Sequence, residues 1–313
     1  MNPLSAAYSA IAKARNLLYD TGLLSGELRG PVVSIGSLSA GGAGKTPFLI
    51  LLGALLKERG TKFDVLSRGY GRASRGVRVV SPDGSAAEFG DEPLLIARKL
   101  GVPVIVGEDR FLAGEFAESK FGPQLHLLDD GFQHRGLARD FDIVLITKRD
   151  LSDRLFPMGL LRESFSSLKR AHAVVLMDEN MSLAAPPYKL IWQVHRGIRI
   201  GETPPRQVAF CAVARPRRFF RELREAGLEP LGEIAFADHH IYRERDIARL
   251  MRAREQLKST GFVTTEKDAV NLGSFSKVLE PLHIVPVRME LDEPQAAIDA
   301  IMVEIDTHRA EPA

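Results

Sequence analysis

The run Gly41-Gly42-Ala43-Gly44-Lys45-Thr46 constrains this chain more than any other segment. An apolar stretch, Val32-Val33-Ser34-Ile35-Gly36, precedes it, and an apolar helical pattern from Phe48 to Leu56 follows. Strand, glycine loop and helix in that order make a phosphate-binding loop. Glycines let successive backbone N–H groups curl around an anion, and the helix N-terminus adds the positive end of its dipole. Lys45 would reach the β- and γ-phosphates, and Thr46 would offer its hydroxyl to a magnesium ion. The strict spacing G-x-x-x-x-G-K-[ST] asks for glycine where this chain has Ser39. The competing reading is a glycine-rich turn with a chance Gly-Lys-Thr, but the flanking strand and helix favour the phosphate loop. Pro47 supports the helix start, because a first turn has no use for the missing N–H.

Around this loop the sequence alternates. Candidate strands are Val32–Ile35, Phe63–Leu66, Val77–Val80, Val104–Val106, Leu125–Leu128, Ile143–Ile146 and Val174–Leu176. Helical patterns fit Phe48–Arg59, Glu92–Leu100, Arg110–Ser119 and Phe165–Lys169. The alternation predicts an α/β fold: a P-loop NTPase-like parallel sheet with helices on both faces, in residues 25–195. A polar stretch with Gly197, Gly201, Pro204 and Pro205 predicts a linker over 196–207. Alternation then resumes with Val208–Val213, Phe219–Glu225, Glu233–Phe236, Asp246–Leu257 and Gly261–Thr265. It predicts a smaller C-terminal α/β subdomain over 208–313, with a frayed tail after Thr307.

With 313 residues, 45% of them apolar and 26% charged, the chain is an ordinary globular mixture of about two domains. A net charge of +2 does not call for nucleic acid. The single cysteine, Cys211, excludes an intrachain disulfide, suggests a reducing compartment and reads as buried filler. No apolar run reaches the length of a membrane span, and no secretory signal is visible. Residues 1–24 stand apart. Leu4, Ala7, Tyr8, Ile11, Ala14, Leu17 and Leu18 recur at helical spacing, with Lys13 and Arg15 among them. Such a helix either packs on the protein's own core or lies on a membrane surface.

Ligands of parallel sheets bind at the carboxyl ends of the strands, so the loops there matter most. Leu125-His126-Leu127-Leu128 ends in Asp129-Asp130, followed by Gln133 and His134. An aspartate at that place holds magnesium in phosphate-loop enzymes, although Asp-Asp-Gly also makes ordinary turns. Ser67-Arg68-Gly69-Tyr70-Gly71-Arg72 offers arginines for phosphate or a plain glycine turn. Asp91 in Gly90-Asp91-Glu92-Pro93 is either a helix cap or a base for an accepting hydroxyl. Arg162-Glu163 is a transition-state arginine with its acid, or a surface ion pair. Asp238-His239-His240 could bind metal or place a histidine against an acid across a cleft. Thr264-Thr265-Glu266-Lys267-Asp268 ends a strand and bears either on the cleft or on domain packing.

Together these strings resemble one family, the tetraacyldisaccharide 4′-kinases of lipid A synthesis. The matching segments are Gly41–Pro47, Ser67–Gly71, Gly90–Pro93, Asp129–His134, Leu161–Glu163, Ala214–Pro216, Phe236–His239 and Thr264–Ala269, in order and across most of the chain. That family also tends to lack the leading glycine. Ala43 stands where it often has a hydroxyl residue, so a side-chain phosphate contact from that site is not expected. The resemblance implies transfer of the γ-phosphate of ATP, with Mg2+, to the 4′-hydroxyl of an acylated disaccharide 1-phosphate, giving lipid IVA. It implies peripheral or monotopic work at the cytoplasmic face of the bacterial inner membrane, with residues 1–24 as the membrane-contacting helix and no obligate protein partner. Residue by residue, it implies Asp91, His239 and Arg162 in catalysis. Gly41, Gly42, Gly44, Lys45, Thr46, Tyr70, Gln133 and His134 would hold the nucleotide. Thr46, Asp129, Asp130 and Glu163 would form the metal region.

Three other classes compete. Thr147-Lys148-Arg149-Asp150 matches the guanine-reading pattern [NT]-K-x-D, as in a GTPase switch or metal-insertion chaperone. A partitioning ATPase would carry an extra lysine where this chain has Ala40. A membrane-bound scaffold with a vestigial loop would not need Lys45, Thr46 and Asp129 intact.

Overall fold

The computed structural model describes residues 25–183, 189–201 and 205–310, so the expected N-terminal helix lies outside the described residues. Two sheets organise the chain. The larger begins with β1 (Val32–Ser37), β2 (Phe63–Ser67), β3 (Arg78–Val79), β4 (Val104–Val106), β5 (Leu125–Asp129), β6 (Phe141–Ile146), β7 (Ala173–Leu176) and β8 (Leu190–Ile198). The smaller holds β9 (Gln207–Cys211), β10 (Gly232–Ala235), β11 (Gly261–Thr265) and β12 (Leu282–Val285), in the order β10-β9-β11-β12 and all parallel. The chain then returns, and β13 (Val287–Leu291) completes the larger sheet in the order β13-β8-β7-β6-β1-β5-β2-β4-β3. Only the outer pairs, β3 with β4 and β13 with β8, are antiparallel.

Central strands β1, β2, β5, β6 and β7 are buried at every position, as parallel strands covered on both faces must be. Alternate residues face opposite layers. Val33, Val65 and Leu127 pack with Phe48, Leu49, Leu52 and Leu56 of helix α1 (Lys45–Glu58), while Val32, Leu66 and Leu128 pack with Ala113 and Ala117 on the other face. Each such Leu or Phe, fully buried, contributes roughly 1.5–3 kcal/mol. β1 lies between β5 and β6, with β2 beyond β5, so the strand order turns around at β1. The loop leaving β1 therefore opens into the crevice where ligands of such sheets sit.

The strands and helices expected in the first half are present, with two changes. Val77–Val80 shrinks to the two-residue β3, and Phe165–Arg170 is a 3-10 turn. The expected linker over 196–207 is corrected. Arg196, Gly197 and Ile198 belong to β8, which pairs with both β7 and β13. Among its residues only Val194 is buried, so backbone pairing rather than burial holds the strand, and its exposed charges read as a loop. The second unit does not run to residue 313 either. Its sheet ends at Val285, and helix Pro294–Ala310 returns to the first core through Ala297, Ile298, Ile301 and Ile305. The tail expected to fray after Thr307 is helical to Ala310, where the Arg309 guanidinium pairs with Asp140 and donates to the Gly30 carbonyl. Cys211 is buried on β9 as expected, and burial pushes its thiol up to about 12.

Candidate active site

Gly41, Gly42 and Gly44 all hold positive φ, so the loop after β1 coils in a way side chains resist. Gly44 occupies the N-cap of α1 with no side-chain cap, leaving the first-turn N–H groups for an anion. The loop is roofed from two directions. Loop 160–162 pairs with it through Ala40 N to Leu160 O (2.8 Å) and Arg162 N to Leu38 O (2.7 Å). From the smaller sheet, Arg215 lies so close that a Cβ on Gly42 would sit 2.9 Å from its Nε.

At the end of β5 the two neighbouring acids part. Asp129 is buried; its Oδ2 accepts from Ser67 Oγ at 2.9 Å and its Oδ1 has no hydrogen-bond partner. Burial, with the Glu92 and Asp130 carboxylates, pushes Asp129 up to about 7 against the pull of Ser67 and Lys45. Asp130 takes a left-handed turn (φ 49°) and faces the other way. It binds Arg162 through both oxygens, at 2.8 and 3.1 Å, with Lys45 Nζ at 3.4 Å. Burial alone would raise the Asp130 carboxyl, but the Lys45 and Arg162 cations hold it well below the usual range.

Among the described residues no three His, Cys, Asp or Glu side chains gather as a metal cage. Asp130 is engaged by Arg162 and Lys45, and Glu163 is buried against Arg170. His240 pairs with Asp246 at 3.0 Å, and His239 turns instead toward Asp91. Thr46 and the orphaned Asp129 oxygen fit magnesium, which takes one or two carboxylates and completes its shell with phosphate and water.

Gln133 donates to the Ser37 carbonyl at 3.0 Å, bracing the start of the phosphate loop. His134 is pushed down to about 4 by burial and the Arg110 and Arg139 charges, so it is neutral near pH 7. In the sequence Arg110 shows only as the start of a helical pattern. It is buried at the head of helix α4 (Arg110–Phe121), its charge facing Asp129, Asp130 and Arg68. A cation in a first turn works against the helix dipole, and that was the available signal.

A second polar cluster joins the two sheets. Asp91 begins helix α3 (Asp91–Leu100) and is buried; His239 reaches it from the smaller sheet, Nδ1 standing 3.0 and 3.1 Å from its two oxygens. Asn271 donates to Asp91 at 3.1 Å, and Lys267 Nζ lies 3.6 Å away. Burial opposes ionisation, yet His239, Lys267 and Asn271 pull Asp91 down to about 2. The Asp91 hydrogen bond raises the His239 proton affinity, with burial and Lys267 working against it. His239 itself has positive φ (56°), and Tyr70 covers its ring at 5.2 Å between centroids. Tyr70, expected with the nucleotide, is thus placed against this second cluster. Gly90 permits the approach, since a Cβ there would press the Tyr70 carbonyl at 3.1 Å.

Asp150, the acid of the guanine-like pattern, is fully buried and accepts from both Thr147 N (2.7 Å) and Thr147 Oγ1 (2.9 Å). Its Oδ2 thus closes its own turn, while Oδ1 has no hydrogen-bond partner.

Residues 1–305 match the family model described as LpxK, Tetraacyldisaccharide-1-P 4′-kinase. The chain is 51% identical to the Tetraacyldisaccharide 4′-kinase of Koribacter versatilis, over 98% of this chain and 99% of that protein. It is 36% identical to the Aquifex aeolicus protein of the same name, over 88% and 90%. The crystal structure of the "apo" form of LpxK from Aquifex aeolicus in complex with ATP matches with a TM-score of 0.79 at 32% identity, covering 97% of this chain and 98% of that one. A phosphate loop, an orphaned strand-end acid and an acid–histidine pair across two sheets thus come with likeness along the whole chain, which belongs to the tetraacyldisaccharide 4′-kinase family.

Proposed function

We propose that this chain transfers the γ-phosphate of ATP to the 4′-hydroxyl of an acylated disaccharide 1-phosphate, with the work divided between the two polar clusters. On the nucleotide side, the amides ahead of Lys45 cradle the phosphates, and Lys45 bears on the β/γ bridge. Thr46 and Asp129 would hold magnesium, which supplies neutralising charge across the β- and γ-phosphates. Arg162, held in register by Asp130, sits beside Lys45 and stabilises charge growing on the transferred group. Gln133 and His134 shape the loop beneath.

On the acceptor side, Asp91 orients the sugar hydroxyl and accepts its proton as the new P–O bond forms and the bond from the γ-phosphorus to the β/γ bridging oxygen breaks, releasing ADP. Its low proton affinity keeps it ionised whenever a hydroxyl arrives. His239 holds the carboxylate in place and brings the smaller sheet down over the cleft, excluding water from the phosphoryl group.

The observation that carries this reading is the Asp91–His239 contact at 3.0 Å across the cleft from an uncapped phosphate loop. The test is transfer from labelled ATP to the disaccharide 1-phosphate in detergent, with GTP and a deacylated acceptor as controls. Product phosphorylated at the 4′ position from ATP supports it; nucleotide hydrolysis with no acceptor product overturns it.

Among the described residues no helix is long and apolar enough to cross a membrane. We place the enzyme at the cytoplasmic face of the bacterial inner membrane through residues 1–24, because an acylated acceptor leaves a bilayer only at the cost of exposing its chains. Co-sedimentation with phospholipid vesicles, lost on removal of those residues, would support this; unchanged sedimentation would overturn it.

A further inference from the structure

Lys267 is an unusual residue for its place. It is the second residue of the short helix α7 (Glu266–Leu272), where a cation opposes the helix dipole. Its side chain is largely buried, and burial alone would disfavour its charge. Helix stability therefore does not account for it.

Its surroundings do. An ammonium carries three N–H donors and no acceptor. Three acceptors stand at the same distance from Lys267 Nζ: Glu92 Oε1 at 3.3 Å, Asp238 Oδ1 at 3.3 Å and His239 Nε2 at 3.3 Å. A ring nitrogen accepts from an ammonium only through its lone pair. Nε2 must then be unprotonated, and the imidazole proton belongs on Nδ1, the nitrogen facing Asp91 at 3.0 Å. The groups facing His239 are thus Asp91 from α3, Lys267 from α7, Asp238 from its own loop and the Tyr70 ring from above. Asn271, one turn after Lys267, fixes Asp91 from the same helix.

We propose that Lys267 is the positioning residue of the acceptor side: by donating to His239 Nε2 it selects the Nδ1–H form of the ring and aims that proton at Asp91. Both Asp91 oxygens face His239, Oδ1 also accepts from Glu92 N at 2.8 Å and Oδ2 from Asn271 at 3.1 Å, so the carboxylate is fixed in orientation before a sugar hydroxyl arrives. The ammonium also opposes protonation of both partners, keeping the pair ready to take a proton. This proposal rests on the reading of Asp91 as the group that serves the hydroxyl.

Its first test does not involve turnover. Nitrogen-15 spectra of imidazole-labelled wild-type enzyme, followed as pH rises until His239 is neutral, should show the Nδ1–H form. An Nε2–H form in the neutral ring overturns the proposal, whatever the transfer assay gives. The second test compares Lys267→Met with Lys267→Arg, each checked for native thermal unfolding. Lys267→Met should lower kcat by about tenfold to a hundredfold, the range for loss of a group that orients another, with KM for ATP within about twofold. The acid limb of its kcat profile should move to higher pH, because Asp91 and His239 both lose a cation neighbour. Lys267→Arg should recover part of the rate and of the profile. A Lys267→Met enzyme with reduced kcat but an unmoved profile would make the residue merely structural and overturn the proposal. Should Lys267→Met fail to fold, the wild-type spectra alone decide. Failure of transfer with the Nδ1–H form intact would count against the Asp91 reading instead.

Discussion

The two polar clusters are built on different principles. The nucleotide side is assembled by strand-end loops of one sheet, from Gly41–Thr46, Asp129–His134 and Arg162, with Ala214, Arg215 and Asp238 approaching it from the second sheet. The acceptor side exists only where two sheets meet: Asp91 comes from the first, and His239, Lys267 and Asn271 from the second. One site is therefore preformed by the fold of a single layer, whereas the other depends on how two layers dock. In the reaction we propose, separating binding from chemistry in this way would let nucleotide occupy the loop without committing the acceptor.

The sharpest way to break the comparison is Asp91→Asn. Turnover should fall by about 10²–10⁴-fold, the range for removing a general base, while ATP affinity by calorimetry stays within about twofold. Loss of ATP affinity in parallel with turnover would merge the two clusters into one site. Lys45→Ala tests the other side and should lower kcat/KM by about 10²–10³-fold, with ATP binding weakened as well. An intact ATP affinity in that variant would take the nucleotide away from the loop.

A smaller effect is expected from Gly36→Ala at the end of β1. The added methyl would fall 2.4 Å from Phe132 Cβ and 2.9 Å from its backbone nitrogen. Overpacking of this kind costs about 1–3 kcal/mol, readable as a lower midpoint in urea, and it should spare the Asp91–His239 contact.

The smallest effect is a pH window. His239 has a raised proton affinity in the fold, so its ion pair with Asp91 is whole below its ordinary value of 6.5 and fades as pH rises through the raised one. Asp91 is lowered to about 2, so its share is whole above 3.8 and is lost as pH falls toward that value. The thermal midpoint of wild type should therefore exceed that of His239→Ala most between about pH 4 and about pH 6.5. A gap that widens above that range would show that the docking does not depend on the imidazolium.

Legibility in the sequence follows the same division. Lys45, Thr46 and Asp129 could be named because a phosphate loop and a strand-end acid are local patterns, each spelled within a few residues. The parallel strands were visible because their burial on both faces makes them continuous apolar runs. β8 and β13 were not, since neither is buried along its whole length and the pairing between them joins segments far apart in sequence. Asp91 and His239 were found through a family resemblance; their own local context suggested a helix cap and a metal or hydrogen-bonding histidine. Asn271 carried no signal at all, because its partner lies 180 residues away. Asp129 and Asp130 were adjacent in sequence and assigned together, yet a single left-handed residue sends them to separate tasks.

The return of the chain to its first sheet has one more consequence. Ile198 and Val287 are direct partners in the antiparallel pair of β8 and β13, so the whole second sheet leaves and re-enters through adjacent positions. It hangs as a pendant from a hairpin. Replacing everything between those two residues with a tight two-residue turn would restore an ordinary ribbon. The shortened protein would keep the glycine cradle and Asp129 while losing His239 and Lys267 together, isolating a nucleotide holder that has no means of addressing a sugar.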